Sequence, residues 1–152
     1  MDSHAAATAD DADDVDINEC SMKDLIPALF RLQSQRCLTY QRLAEAQSTF
    51  MSTRSFPGFQ AFLSDVTIIF SRISEEIILI KKRFETRPLI FKHIEQLQEY
   101  ERKKLQWTND LFVARMEKRD DQADEVKLNL NQLIDNINEV LEELRYDQEE
   151  FL

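Results

Sequence analysis

"FQAFLSDVTIIFSRISEEIILIKKRF", residues 59–84, is the stretch whose reading decides the fold. Phe59, Phe62, Val66, Ile69, Ile73, Ile77, Ile80 and Phe84 recur at steps of three and four, the spacing that stacks side chains on one face of an α-helix. A strand built from the same β-branched residues would alternate with period two, and that alternation is absent. The regularity is close to a coiled-coil seam, and Leu63, Ile68 and Phe70 widen it toward a bundle face.

The same period runs along both flanks. Upstream, Leu25, Leu29, Leu32, Arg36, Tyr40, Leu43, Gln47 and Phe50 predict a helix over about 25–52. Asp24 is its expected N-cap, and Pro27 is expected in its first turn, where a missing N–H is harmless. "TRSFPGF", residues 53–59, holds the one glycine of the chain and breaks the pattern. Downstream, Pro88 ends the central helix near Glu85 and opens a third, which follows Ile90, Ile94, Leu97, Glu101, Leu105, Thr108, Phe112 and Met116. Its two polar positions weaken that seam. Val126, Leu130, Leu133, Ile137, Val140 and Leu144 mark a fourth helix.

The interruption between the last two helices, "DDQADE" at 120–125, contains neither Gly nor Pro. It is expected to be a turn. The alternative, in which Ala123 carries the seam through, gives one helix of more than 60 residues and about 90 Å. The fold class read from these stripes is all-α: about four long amphipathic helices forming an antiparallel bundle or coiled coil. Residues 23–152 make up that helical domain, and 1–22 are expected to be a disordered acidic tail, too poor in apolar residues to offset its ordering entropy.

With 152 residues, 43% of them hydrophobic, the chain can bury one core of ordinary size, and one glycine with three prolines leaves little turn punctuation. No apolar run approaches the roughly 18 residues that span a bilayer, and the acidic N-terminus is unlike a signal peptide. A soluble intracellular protein of the nucleus or cytoplasm, without membrane contact, is expected. Cys20 and Cys37 are too few for a disulfide framework and lack metal-ligand spacing, so both read as ordinary thiols.

The net charge of −10 is unevenly spread. Residues 1–19 carry seven acids and no Lys or Arg, 81–119 hold eleven bases and six acids, and 120–152 hold two bases and eleven acids. Lys81, Lys82, Arg83, Arg87, Lys92, Arg102, Lys103 and Lys104 fall mostly off the apolar stripes. Phosphate contact requires such residues, and Phe91, Tyr100 and Trp107 are candidate stacking partners for bases. Against this, Glu85, Glu95, Glu99 and Glu101 are interleaved with them, as on a solvated helix. If the acidic fourth helix folds back beside the third, the opposite charges set register within the molecule. A chain with a pI near 4.7 is far from the basic range of nucleic-acid modules, so DNA contact is the less favoured reading.

Catalytic and cofactor signatures are missing. There is no G-x-x-x-x-G-K, G-x-G-x-x-G, H-E-x-x-H or C-x-x-C, and one glycine cannot build a glycine-rich phosphate cradle. Helical bundles hold di-iron sites through Glu-x-x-His pairs, but Ile90 stands three residues before His93. His93 therefore reads as a surface or boundary histidine. Neither an enzyme nor a cofactor or metal is expected. Phe30, Phe50, Phe59, Phe62, Phe70 and Phe84 read as core. Leu141, Leu144, Tyr146, Phe151 and Leu152 read as end-capping before they read as a docking face.

Together, "LFRLQSQRCLTYQRL" (29–43), "FLSDVTIIFSRISEEI" (62–77), "IEQLQEYERKKLQWTNDLFVAR" (94–115) and "INEVLEELRYDQEE" (137–150) resemble the Required-for-Excision B-type family, a small helical domain associated with DNA repair. The resemblance covers about 28–150, with "LQEYERKKLQWT" and "NEVLEELRY" its sharpest pieces. It implies a part in nucleotide excision repair and brings no activity, cofactor or catalytic residue.

The leading expectation is a non-catalytic helical adaptor that assists excision repair by binding protein partners among repair or transcription factors. The runner-up is a nucleic-acid-binding module using Lys81, Lys82, Arg83, Lys92, Arg102, Lys103 and Lys104. A third reading, a coiled-coil assembly subunit unrelated to repair, goes with a continuous last helix and a homodimer.

Overall fold

The computed structural model describes residues 16–152, and among them it is all-helical, with no strand. Four helices follow one another: α1 (Met22–Thr53), α2 (Phe56–Arg83), α3 (Pro88–Met116) and α4 (Asp120–Glu149). At 28 to 32 residues each, they run about 42–48 Å. Two- to four-residue connections fold neighbours antiparallel. The main pairings are α1 along α2 and α3 along α4, with slighter contact of α2 with α3 and of α1 with α4. The molecule is thus two helical hairpins laid side by side.

α1 starts earlier than expected. Ser21, in extended conformation, occupies the N-cap position, and its hydroxyl donates to Asp24 Oδ2 at 2.8 Å. Pro27 is therefore inside the helix, one turn further in than the sequence reading placed it. The proline ring removes the N–H that would bond the Lys23 carbonyl four residues back. Gln148 of α4 takes over that carbonyl, donating from Nε2 at 3.0 Å.

None of the four helices ends at a glycine, and two of them, α1 and α3, close on a left-handed residue instead. Arg54 has φ 57°, and its N–H bonds the Phe50 carbonyl at 2.8 Å. The break in "TRSFPGF" is thus confined to Arg54 and Ser55, while Gly58 lies within the first turn of α2. At the α3–α4 junction Lys118 also has φ 57°. There the Arg119 N–H reaches Ala114 O at 2.9 Å and the Lys118 N–H reaches Arg115 O at 3.2 Å, the paired bonds of a Schellman stop. The turn is Glu117–Arg119, just ahead of "DDQADE", whose first acids sit in the first turn of α4 and favour its positive dipole end. α3 and α4 are two helices, so the single 90 Å rod does not form.

The core fills the half of the bundle that contains the α2–α3 turn. Leu25, Ile26 and Leu29 meet Ile73, Ile77, Ile80 and Phe84, Ile90, Ile94 and Leu97, and Leu133, Ile137, Val140 and Leu144. Each such fully enclosed side chain contributes about 1.5–3 kcal/mol. The seam on α2 runs through Phe70 (7% exposed), with Ile69 half-buried beside it and Ile68 at 67%. The stripe read from the sequence was one residue off at that turn. In the other half an aromatic group ties three helices together: Phe50 and Phe59 stack at 4.7 Å, and Phe59 meets Phe112 at 5.5 Å.

The boundary of the folded part also differs from the expectation of a tail over 1–22. Residues 1–15 lie outside the described residues. Within 16–22, Ile17 is 6% exposed and joins the core, and the Arg83 guanidinium donates to the carbonyls of Ile17 and Cys20. Ordered packing therefore begins ahead of residue 23.

Candidate partner-binding site

A layer of polar side chains crosses the bundle between the apolar core and the aromatic half. Arg36 and Glu101, both read from sequence as polar members of an apolar seam, are only 3% and 5% exposed. Helical spacing puts Gln33 one turn before Arg36 on α1 and Gln98 one turn before Glu101 on α3. Arg36 donates from Nη1 to Gln33 Oε1 at 3.0 Å, and from Nη2 to Gln98 Oε1 at 3.0 Å and Ser74 Oγ at 3.2 Å. Gln33 donates in turn from Nε2 to Glu101 Oε2. Gln98 Nε2 donates to the Ser74 carbonyl at 3.2 Å. Gln33 thus bridges Arg36 of α1 and Glu101 of α3, and Ser74 brings α2 into the network.

The electrostatics follow from that enclosure. Burial lowers the Arg36 pKa from its ordinary value, and the Glu101 charge works the other way. Tyr40 is pushed well above the ordinary phenol range, first by burial and then by the Glu101 charge. Its ring packs 4.8 Å from Phe70 and carries the Lys104 ammonium 4.1 Å from its centroid. Glu101 Oε1 is enclosed and has no hydrogen-bond partner among the described residues. Glu101 also lines a cavity of about 270 Å³ whose other walls include Arg36, Tyr40, Ser74 and Arg102.

Next to this cavity α2 and α3 part and leave an apolar cleft of about 490 Å³, lined by Leu63, Val66, Phe70, Leu105, Phe112 and Val113 among others. Phe70, Ser74 and Leu105 are walls of both spaces. A further opening of about 650 Å³, also walled in part by Phe112, is lined by residues of α1 and α3 with Leu130 of α4.

Several of the basic residues singled out in the sequence have partners within the chain. Arg83 is committed to the chain ahead of α1. Arg102 is paired with Glu99 at 2.6 Å, and that contact holds the Glu99 carboxyl below the usual carboxylate range. Lys104 lies over Tyr40, and Lys81 lies over Phe91 at 5.3 Å and near Glu95 at 4.0 Å. Lys82 and Lys92 are exposed, and Lys103 is half-buried. The candidate stacking residues Tyr100 and Trp107 pack against the core.

His93 is not a surface residue. It is 8% exposed, and its Nδ1 lies 2.6 Å from Asp147 Oδ2, joining α3 to α4. At the C-terminus Leu144 is fully buried and Phe151 packs 6.0 Å from Phe84, whereas Tyr146 is 67% exposed. Among the described residues no group of three His, Cys, Asp or Glu side chains could hold a metal ion, and no helix is long and apolar enough to cross a membrane.

A protein-family model described as DNA repair REX1-B matches residues 24–115, which takes in α1 to α3 and ends before α4. The chain is 24% identical over 142 residues to a Required for excision 1-B domain-containing protein of Bos taurus, spanning 86% of this chain and 79% of that one. It is 25% identical over 135 residues to the protein of the same name from Mus musculus, spanning 82% and 80%. No solved structure matches.

Proposed function

Since the chain belongs to the DNA repair REX1-B family, we propose that it serves nucleotide excision repair as a non-catalytic helical adaptor, acting in the nucleus by binding protein partners. The observation that carries this reading is the open apolar cleft between α2 and α3. Apolar surface left open to water favours association, and a cleft between two helices is a natural seat for a third. The basic side chains point the same way, because several are already engaged within the chain.

Co-purification of the tagged chain from cells with and without ultraviolet damage, read by mass spectrometry, tests the proposal. Enrichment of excision-repair or transcription-coupled factors after damage is the expected result. Recovery of unrelated complexes alone, unchanged by damage, would overturn it.

One observation favours a second reading, nucleic-acid binding: Lys82 and Lys92 remain exposed on either side of the α2–α3 turn. Fluorescence anisotropy with a damaged duplex should then show binding that weakens steeply with salt. A flat titration at low salt removes this reading.

A further inference from the structure

The α1–α2 hairpin and the α3–α4 hairpin are joined covalently at one end, by the α2–α3 turn at residues 84–87. At that end the apolar core draws on all four helices, and Ile73, Ile77, Ile80, Ile94 and Leu97 are fully enclosed. Gln148 of α4 holds the Lys23 carbonyl of α1 at 3.0 Å, and the Phe151 ring lies 6.0 Å from Phe84. The polar layer of Arg36, Gln33, Ser74, Gln98 and Glu101 bounds this half. Beyond the layer the packing changes. The cleft of about 490 Å³, with Thr67 and Ser71 on its α2 wall and Asn109 and Val113 on its α3 wall, runs between the hairpins. So does the opening of about 650 Å³ lined by α1, α3 and Leu130. Leu63, Leu105 and Phe112 are only half-buried there. Across this gap the Phe112 ring lies 5.5 Å from Phe59 of α2 and 6.2 Å from Phe50 of α1, and Arg54 Nη1 lies 3.1 Å from Met116 Sδ.

We propose that the molecule works as a pair of tweezers: each hairpin is one jaw, the α2–α3 turn with its core is the fixed end, and Phe112 is the latch on the free ends. Opening bends the jaws beyond the polar layer and leaves the core and the helical hydrogen bonds intact, as a hinged closure does. Long helices curve at little cost, and the spaces between the jaws leave few packed side chains to separate. Thr53, the end of α1, lies 17 residues past Arg36. That length is about 26 Å of helix, so a bend of roughly 15° moves the tips apart by about 7 Å. Phe112 is the latch because it walls both spaces and its ring packs on both helices of the opposite jaw. Met116 adds little, since a thioether sulfur is a weak acceptor. The jaw state sets how much apolar surface the molecule offers, because Val66, Phe70 and Leu105 line the cleft that widens. This device is independent of any role in repair.

The test is the distance between paired spin labels, measured by double electron–electron resonance on the full chain carrying Cys20→Ser and Cys37→Ser. Gln60→Cys on α2 and Asp121→Cys on α4, both at exposed positions, report the free ends. Leu79→Cys on α2 and Glu139→Cys on α4, also exposed, report the fixed end. The free-end pair should show a short distance and a minor one about 7 Å longer. Phe112→Ala, which removes the ring contacts, should raise the ratio of long to short about tenfold, and Phe112→Leu should fall between. The fixed-end pair should keep one distance in all three chains. Hydrogen exchange separates bending from melting: the amides of 105–116 should keep their protection in Phe112→Ala. A single free-end distance in the native chain, or a ratio that Phe112→Ala leaves unmoved, would overturn the proposal. Loss of protection over 105–116 would also overturn it, because α3 would then fray where the proposal has it bend. So would a second distance at the fixed end, which would mean that the whole bundle loosens.

Discussion

The Gln148 side-chain amide of α4 donates to the Lys23 carbonyl of α1 at 3.0 Å, the carbonyl that Pro27 leaves without a helical partner. A helix defect in one hairpin is thereby repaired by the last turn of the other. Gln148→Ala should destabilise the protein by about 1 kcal/mol. In a Pro27→Ala background, where residue 27 has its own N–H, the same change should have much less effect. Urea unfolding of the four proteins of this cycle measures the coupling, and additivity would show that the two residues act separately.

The polar layer makes a larger prediction. Arg36→Met leaves the buried Glu101 carboxylate without its compensating cation and should destabilise by about 3 kcal/mol. Adding Glu101→Leu should restore much of that loss, because two apolar side chains of similar size remove the need for charge balance. Denaturant midpoints read both steps.

Tyr40 gives the pH dependence. Its folded pKa is raised by burial and by Glu101, above the value of 10.0 for a free phenol. Above pH 10 the unfolded chain releases this proton and the folded chain keeps it, so the unfolded state binds fewer protons and stability falls as pH rises. Stability should be flat in this respect below pH 10 and decline above it, and Tyr40→Phe should remove that part of the decline. Alkaline absorbance titration should show one of the three tyrosines ionising with the unfolding transition.

Lys118 closes α3 in the left-handed region. A side chain there costs about 1 kcal/mol that glycine does not incur. Lys118→Gly should raise stability by about that amount, and a thermal midpoint below that of the native sequence would contradict the backbone account of this turn.

The four helices were legible because each buries a continuous stripe, and periodicity reports burial on one face. What periodicity misses is non-local or backbone-encoded. Left-handed Arg54 and Lys118 carry no glycine signal, so the last turn was placed a few residues too late. Arg36, Tyr40 and Glu101 were visible as seam positions, yet nothing in sequence spacing says that Gln33 on α1 meets Glu101 on α3. His93 and Asp147 meet across an interhelical distance for the same reason. Ile17 sits in an acidic stretch whose composition argues against order, and packing on Arg83 and the core overrides that composition.

The most direct measurement is repair of ultraviolet lesions in cells that lack the endogenous protein and express variants of this chain at equal levels. The native sequence and the Lys82→Glu/Lys92→Glu double variant should restore repair, whereas Val113→Arg and Thr67→Arg should fail. Loss of repair with the lysine variant alone, and full repair with both cleft variants, would contradict the adaptor account and transfer the function to the charged surface.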